Sequence, residues 1–227
     1  MKKVLSVLAF VFSVSANATV VSAFVWEAPT GHAPAMFENG MKAKAMHEAM
    51  GAGVFIGQGQ RFRMYYVMRS DSAAARGAVM DTLSNSAEWQ QFMGEAASRE
   101  GASSLVEVYN MTLIAETEGG PGGEATVVFQ YRPNPGAAQA VIASTLKAKQ
   151  LHEKMGARVQ ILLDETGLVH YITQHESWAA QGAFEDEVNG GQNKEWDAFW
   201  EGVTSNPSAV LEDVIRITQV AVSTMPE

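Results

Sequence analysis

A chain of 227 residues with 16 basic and 25 acidic side chains carries a formal net charge of −9 and contains no cysteine. The missing thiols exclude disulfides, thiolate metal sites, covalent haem attachment and a lipoprotein anchor together. The acidity argues against nucleic acid or an anionic membrane surface as a partner.

The chain opens with Met1-Lys2-Lys3, an apolar run from Val4 to Val14, and the small residues Ala16-Asn17-Ala18. This pattern predicts a secretory signal peptide over residues 1–18, cleaved after Ala18. The run is shorter than the roughly 20 residues a bilayer span needs. The expected mature protein is therefore soluble and exported, periplasmic or secreted, with no membrane partner once the leader is removed. Loss of Lys2 and Lys3 takes its net charge to −11.

The alternation in Ser22–Glu27 suits a strand, and Pro29, Gly31 and Pro34 then break the chain into a loop. Residues 35–50 place Met36, Gly40, Ala43, His47 and Met50 three and four apart, one helical stripe that stops at Gly51. Two strands, Val54–Gly57 and Phe62–Arg69, follow around a polar turn. Residues 72–83 and 88–97 read as helix broken near Ser84-Asn85-Ser86, and Leu105–Ile114 closes the unit as a strand. Residues 116–124, rich in glycine and charge, read as a linker.

The pattern then repeats. Residues 42–52 and 147–157 match at eight of eleven positions, at an offset of 105. Strand Val127–Tyr131, helix Ala137–Met155, strands Val159–Leu163 and Leu168–Thr173, the broken helix 178–188 and 195–203, and strand Leu211–Val222 reproduce the first order. The match runs without a gap from Trp26/Tyr131 to Tyr66/Tyr171. After a two-residue insertion it recovers Glu88-Trp89 as Glu195-Trp196. Two units result, residues 19–115 and 125–227.

A strand-helix-strand-strand-helix-strand unit is ferredoxin-like, with an antiparallel sheet covered by helices on one face only. Joined in one chain, two such units resemble a fused, tandem form of the dimeric α+β barrel superfamily. The resemblance rests on element order, the duplicated helix, and Trp89-Gln-Gln-Phe92 with its partner Trp196-Asp-Ala-Phe199. It implies an α+β fold of two βαββαβ repeats packed sheet to sheet as a pseudo-dimer. That superfamily, as the resemblance implies, includes cofactor-independent and haem-degrading monooxygenases, antibiotic-biosynthesis monooxygenase-like proteins, dye-decolorising peroxidases, chlorite dismutases, NIPSNAP-like proteins and members with no known activity.

His47 and His152 fall on the sheet-facing stripe of each leading helix, where an imidazole can satisfy a core contact, bind haem iron, act as a base or bond a ligand. Tyr66 and Tyr171 point from the central hairpin strand toward the same space, and Trp89 and Trp196 can roof it from the second helix. These six are the candidate pocket residues. The i, i+4 pairs Lys44–Glu48 and Lys149–Glu153 are expected on a solvated face. Met36, Met41, Met46 and Met50 flank His47 and suggest a soft Cu(I) site, but Met36, Met41, Met46, Met64 and Met111 align with Val141, Leu146, Leu151, Val169 and Ile217, so core filling is the better account and no metal is expected. His170, aligned with Tyr65, is expected between the halves in a polar patch with Arg63, Glu107, Asp213 and Arg216. His175 is expected at the start of an exposed turn.

No phosphate loop, nucleophile elbow, zinc helix or calcium loop is present. Neither half gathers the converging titratable groups that a reaction demands, which favours a small-molecule-binding or non-catalytic role with a small apolar or aromatic ligand. The alternative is a monooxygenase-type oxidoreductase, with haem as the cofactor the resemblance admits and a pocket between sheet and first helix. Association beyond the fused pair is left open.

Overall fold

In the computed structural model, residues 18–120 and 122–223 are described. The leader read over residues 1–18 lies outside them apart from Ala18. The elements are β1 (Val20–Glu27), α1 (Ala33–Ala49), β2 (Gly53–Gln58), β3 (Met64–Ser70), α2 (Ala73–Asn85), α3 (Ala87–Ser98) and β4 (Ser104–Glu116). The second half continues with β5 (Ala125–Pro133), α4 (Ala138–Lys154), β6 (Arg158–Asp164), β7 (Val169–His175), α5 (Trp178–Asn189), α6 (Lys194–Ser205) and β8 (Ala209–Val222).

The eight strands close into one antiparallel barrel in the order β1-β3-β2-β8-β5-β7-β6-β4. Each half contributes four neighbouring strands, β4-β1-β3-β2 and β8-β5-β7-β6, so the expected α+β pseudo-dimer is present. Its uncovered sheet faces meet inside the barrel, where Val25, Tyr65, Val128, Ile215 and Ile217 form one cluster and Val21, Ala23, Met111 and Leu162 another. Closure also leaves no exposed sheet edge to template aggregation.

The halves are joined at two seams, β2 with β8 and β4 with β6. A hydroxyl just beyond each long strand extends the pairing. The Val54 amide donates to Ser223 Oγ at 2.7 Å and the Val159 amide to Thr117 Oγ1 at 2.8 Å, while the Ser223 and Thr117 amides donate back to the Val54 and Val159 carbonyls. Lys44–Glu48 and Lys149–Glu153 form at 2.7 Å, but half-buried rather than on the expected solvated face. The reason is the neighbouring seam: Thr117 Oγ1 lies 2.6 Å from Glu153, and Ser223 adds to the hydrogen bond from Lys44, the main cause that holds the Glu48 carboxyl below its ordinary range.

The repeated eleven-residue segment encodes a helix ending. The Ala52 amide donates to the His47 carbonyl and Gly51 to Glu48; Ala157 donates to His152 and Gly156 to Glu153. This is a Schellman motif, and it requires the left-handed backbone that Gly51 (φ +85°) and Gly156 (φ +86°) adopt. It fixes each histidine at the last turn, facing the sheet: Met36, Gly40, Ala43 and His47 are buried on α1, and Val141, Thr145, Ala148, Leu151 and His152 on α4.

The broken second helix resolves into two separate helices in each half, with different joints. In the first half Ser86 ends α2 and also caps α3, its hydroxyl accepting from the Trp89 amide. In the second half, Gly190 ends α5, Gly191 adopts φ +64°, and Asn193 caps α6 by accepting from the Trp196 amide. The two inserted residues thus uncouple α6 from α5.

Candidate functional site

Each half brings its histidine, tyrosine and tryptophan together beneath the leading helix. His47 Nδ1 lies 2.5 Å from Tyr66 Oη, and the His47 ring centroid is 4.9 Å from that of Trp89. His152 Nδ1 lies 2.8 Å from Tyr171 Oη, with Trp196 at 4.5 Å. All six pocket candidates are therefore in these two clusters. Their surroundings differ.

In the first half the cluster opens on a cavity of about 510 Å³. The sheet supplies Phe24, Trp26, Met64, Tyr66 and Met68, α1 supplies Met36, Gly40, Ala43 and His47, and the roof is Trp89, Phe92 and Ala96. Met80, Met93 and Leu105 also line it and are exposed, marking the mouth. No side chain of α3 is buried. In the second half the corresponding volume is packed: Trp196 and Phe199 are buried and join Val141, Ile161, Val169, Tyr171 and Phe184 in one core. α6 is held down by Lys154 donating to Glu195, and Lys147 stands over the Phe199 ring at 5.5 Å.

Burial controls the ionisation of both pairs. It pulls His47 and His152 down to about 4, with the nearby His175 adding to the effect on His152. Burial likewise pushes the Tyr66 and Tyr171 phenols well above their ordinary range. At neutral pH each pair is a neutral phenol and a neutral imidazole. Of the two, the phenol is the stronger acid and the imidazole nitrogen the stronger base, so Tyr66 donates to Nδ1. The opposite arrangement would leave a buried phenolic hydrogen without an acceptor, because Tyr66 Oη has no other hydrogen-bond partner among the described residues. The ring proton of His47 is thereby placed on Nε2, the nitrogen that Tyr66 leaves free on a ring that lines the cavity.

Several expectations need correction. His175 is not at an exposed turn: it ends β7, is 5% exposed, and packs against Phe184 at 4.8 Å. The alternation Tyr171, Thr173, His175 carried that signal, since all three point under the helices. Arg216 lies between the inward-facing Ile215 and Ile217, so it points outward and donates to Glu185 on α5. The rest of the expected polar patch divides: Arg63 pairs with Glu27 and Glu107, whereas His170 turns into the barrel, 3.2 Å from Asp164 and edge-on to Tyr109. Met36 and Met64 fill the core as expected, and together with Met68, Met80 and Met93 they also line the cavity. Among the described residues no group of three or more His, Asp or Glu side chains could hold a metal ion, and no helix is long and apolar enough to cross a membrane.

No protein-family model matches the sequence, and no curated protein matches it. Solved structures do. A candidate monooxygenase from Fusobacterium nucleatum superposes with a TM-score of 0.64 at 9% identity, covering 91% of this chain and 94% of that one. A candidate monooxygenase from Lactobacillus acidophilus gives 0.64 at 8%, covering 92% and 97%. A haem-binding protein from Thermus thermophilus gives 0.51 at 8%, covering 90% and 92%. At these identities the likeness establishes the fold, a dimeric-barrel α+β architecture, and nothing of the chemistry.

The cavity residues do not fit haem iron. Its single imidazole offers an N–H rather than a lone pair, because Tyr66 occupies Nδ1. Among the described residues no lysine or arginine lines the cavity to meet propionates; Arg99 reaches only the rim, donating to Asn39 at 3.3 Å.

Proposed function

We propose that the mature chain is an exported protein, periplasmic or secreted, whose two halves arose by tandem duplication and which binds one small apolar or aromatic molecule. The working pocket is that of the first half. One observation carries this reading: the same His–Tyr–Trp cluster borders a cavity of about 510 Å³ in one half and a packed core in the other. A cavity of that size suits a drug-sized ligand. Its thioethers and aromatics adapt to apolar ring surfaces. The second half then serves as scaffold, completing the barrel that holds the first sheet.

A neutral apolar dye, N-phenyl-1-naphthylamine, tests the reading with the mature chain. The expected result is a fluorescence gain saturating at one dye per chain, abolished by Ala43→Leu and by Ala96→Trp, which fill the cavity. No gain, or a gain that survives both substitutions, would overturn it. A second reading places monooxygenase-type oxidation in the same cavity, favoured by the buried His47–Tyr66 pair. It requires oxygen uptake, read with an electrode, when a ligand is added. A hemin Soret shift abolished by His47→Ala would replace both with a haem role.

A further inference from the structure

The chemistry of the occupant follows from the cavity's polar groups, and this step rests on the binding reading above. With Nδ1 taken by Tyr66 at 2.5 Å, Nε2 is the one ring nitrogen of His47 free to meet a ligand, and it carries a hydrogen. The second half shows what becomes of that hydrogen when no ligand can reach it. His152 Nε2 is sealed in the core without a hydrogen-bond partner, an arrangement that costs stability. The first half keeps the same donor at the wall of a cavity. Among the described residues, the other polar side chains lining it, Asn39, Ser84, Gln90, Ser103 and the indoles of Trp26 and Trp89, are uncharged, and no lysine or arginine is among them. A carboxylate or sulfonate would enter with no cation to offset its lost hydration. A pure hydrocarbon would leave the Nε2 hydrogen unpaired.

We propose that the cavity selects an uncharged, apolar ring system carrying one hydrogen-bond acceptor, a carbonyl or ether oxygen, that accepts from His47 Nε2–H. Tyr66 is a positioning residue: by occupying Nδ1 it holds the tautomer that donates. Phe24, Trp26, Trp89 and Phe92 supply ring-stacking surface.

Three probes share one ring system and differ only at a single carbon: 9-fluorenone, fluorene and fluorene-9-carboxylate. With the mature chain, fluorenone is expected to bind about tenfold tighter than fluorene, and the carboxylate weakest. The infrared carbonyl band of bound fluorenone should move to lower wavenumber. His47→Phe should erase both the preference and the band shift. His47→Gln, which retains a side-chain N–H, should recover part of each, and it keeps the test decisive if the phenylalanine variant fails to fold. Tyr66→Phe should leave the rings binding but narrow the preference, since Nδ1 is then free to take the proton. Equal affinity for fluorenone and fluorene with an unmoved carbonyl band would overturn the donor assignment while leaving the binding reading intact. Failure of every ring to bind would overturn the binding reading itself, and this proposal with it.

Discussion

The two halves hold one constellation in two states. His47, Tyr66 and Trp89 border open space, whereas His152, Tyr171 and Trp196 are enclosed, although the segments that present the histidines are nearly identical. The difference lies outside those segments. The second half has Phe184 where the first has Val79, Thr145 where it has Gly40, and Val203 where it has Ala96. It also has two more residues between its paired helices. The insertion replaces the shared cap Ser86 by a loop, and α6 settles onto the sheet where α3 stands off. A cavity can thus be lost or kept without touching the His–Tyr–Trp cluster that borders it.

The contrast can be broken most strongly at the tryptophans. Trp196→Ala removes a buried ring from a filled core and should cost about 3–5 kcal/mol. Trp89→Ala trims a half-exposed cavity roof and should cost roughly 1 kcal/mol. Urea midpoints of the two variants test this, and equal losses would refute the cavity/core distinction.

Acid stability sharpens the same comparison. His47 and His152 sit at about 4 in the folded state, below the roughly 6.5 of an unfolded chain. As pH falls the unfolded chain takes up its protons first. The contribution of these two histidines to stability is therefore full above pH 6.5, declines between 6.5 and 4, and changes no further below. His47→Gln and His152→Gln should each flatten part of that limb, measured as urea midpoint against pH. Only a change at His47 should also alter ligand affinity. The smallest effects belong at the seams. Ser223→Ala and Thr117→Val each remove one hydroxyl that bonds a strand amide and should cost about 1 kcal/mol apiece. A much larger loss at either would show that one seam, not two equivalent ones, holds the barrel shut.

Much of this was legible in the linear chain because it depends on local pattern. The three-and-four spacing from Met36 to His47 put the histidine on the buried stripe, and Gly51 and Gly156 marked the helix ends. The alternation that placed Tyr66 under the helix did the same for Tyr171. The same alternation, continued past Thr173, places His175 under α5, and along Leu211–Val222 it places Arg216 outside. Met36 and Met64 do fill the core as their aliphatic counterparts predict, but comparison with those counterparts carries no sign of the cavity that they also line. That comparison assumed equal packing in the two halves, which they do not have.

The sequence by itself determined the repeated unit, the order of its elements, and the faces of helix and strand on which His47, His152, Tyr66 and Tyr171 lie. Those follow from helix and strand periods and from backbone chemistry within a few residues. Whether space remains beneath each leading helix was decided only by the tertiary structure. Cavity volume is the small residue left after α3 or α6 docks against a sheet built from both halves, and no local period encodes a difference between distant surfaces.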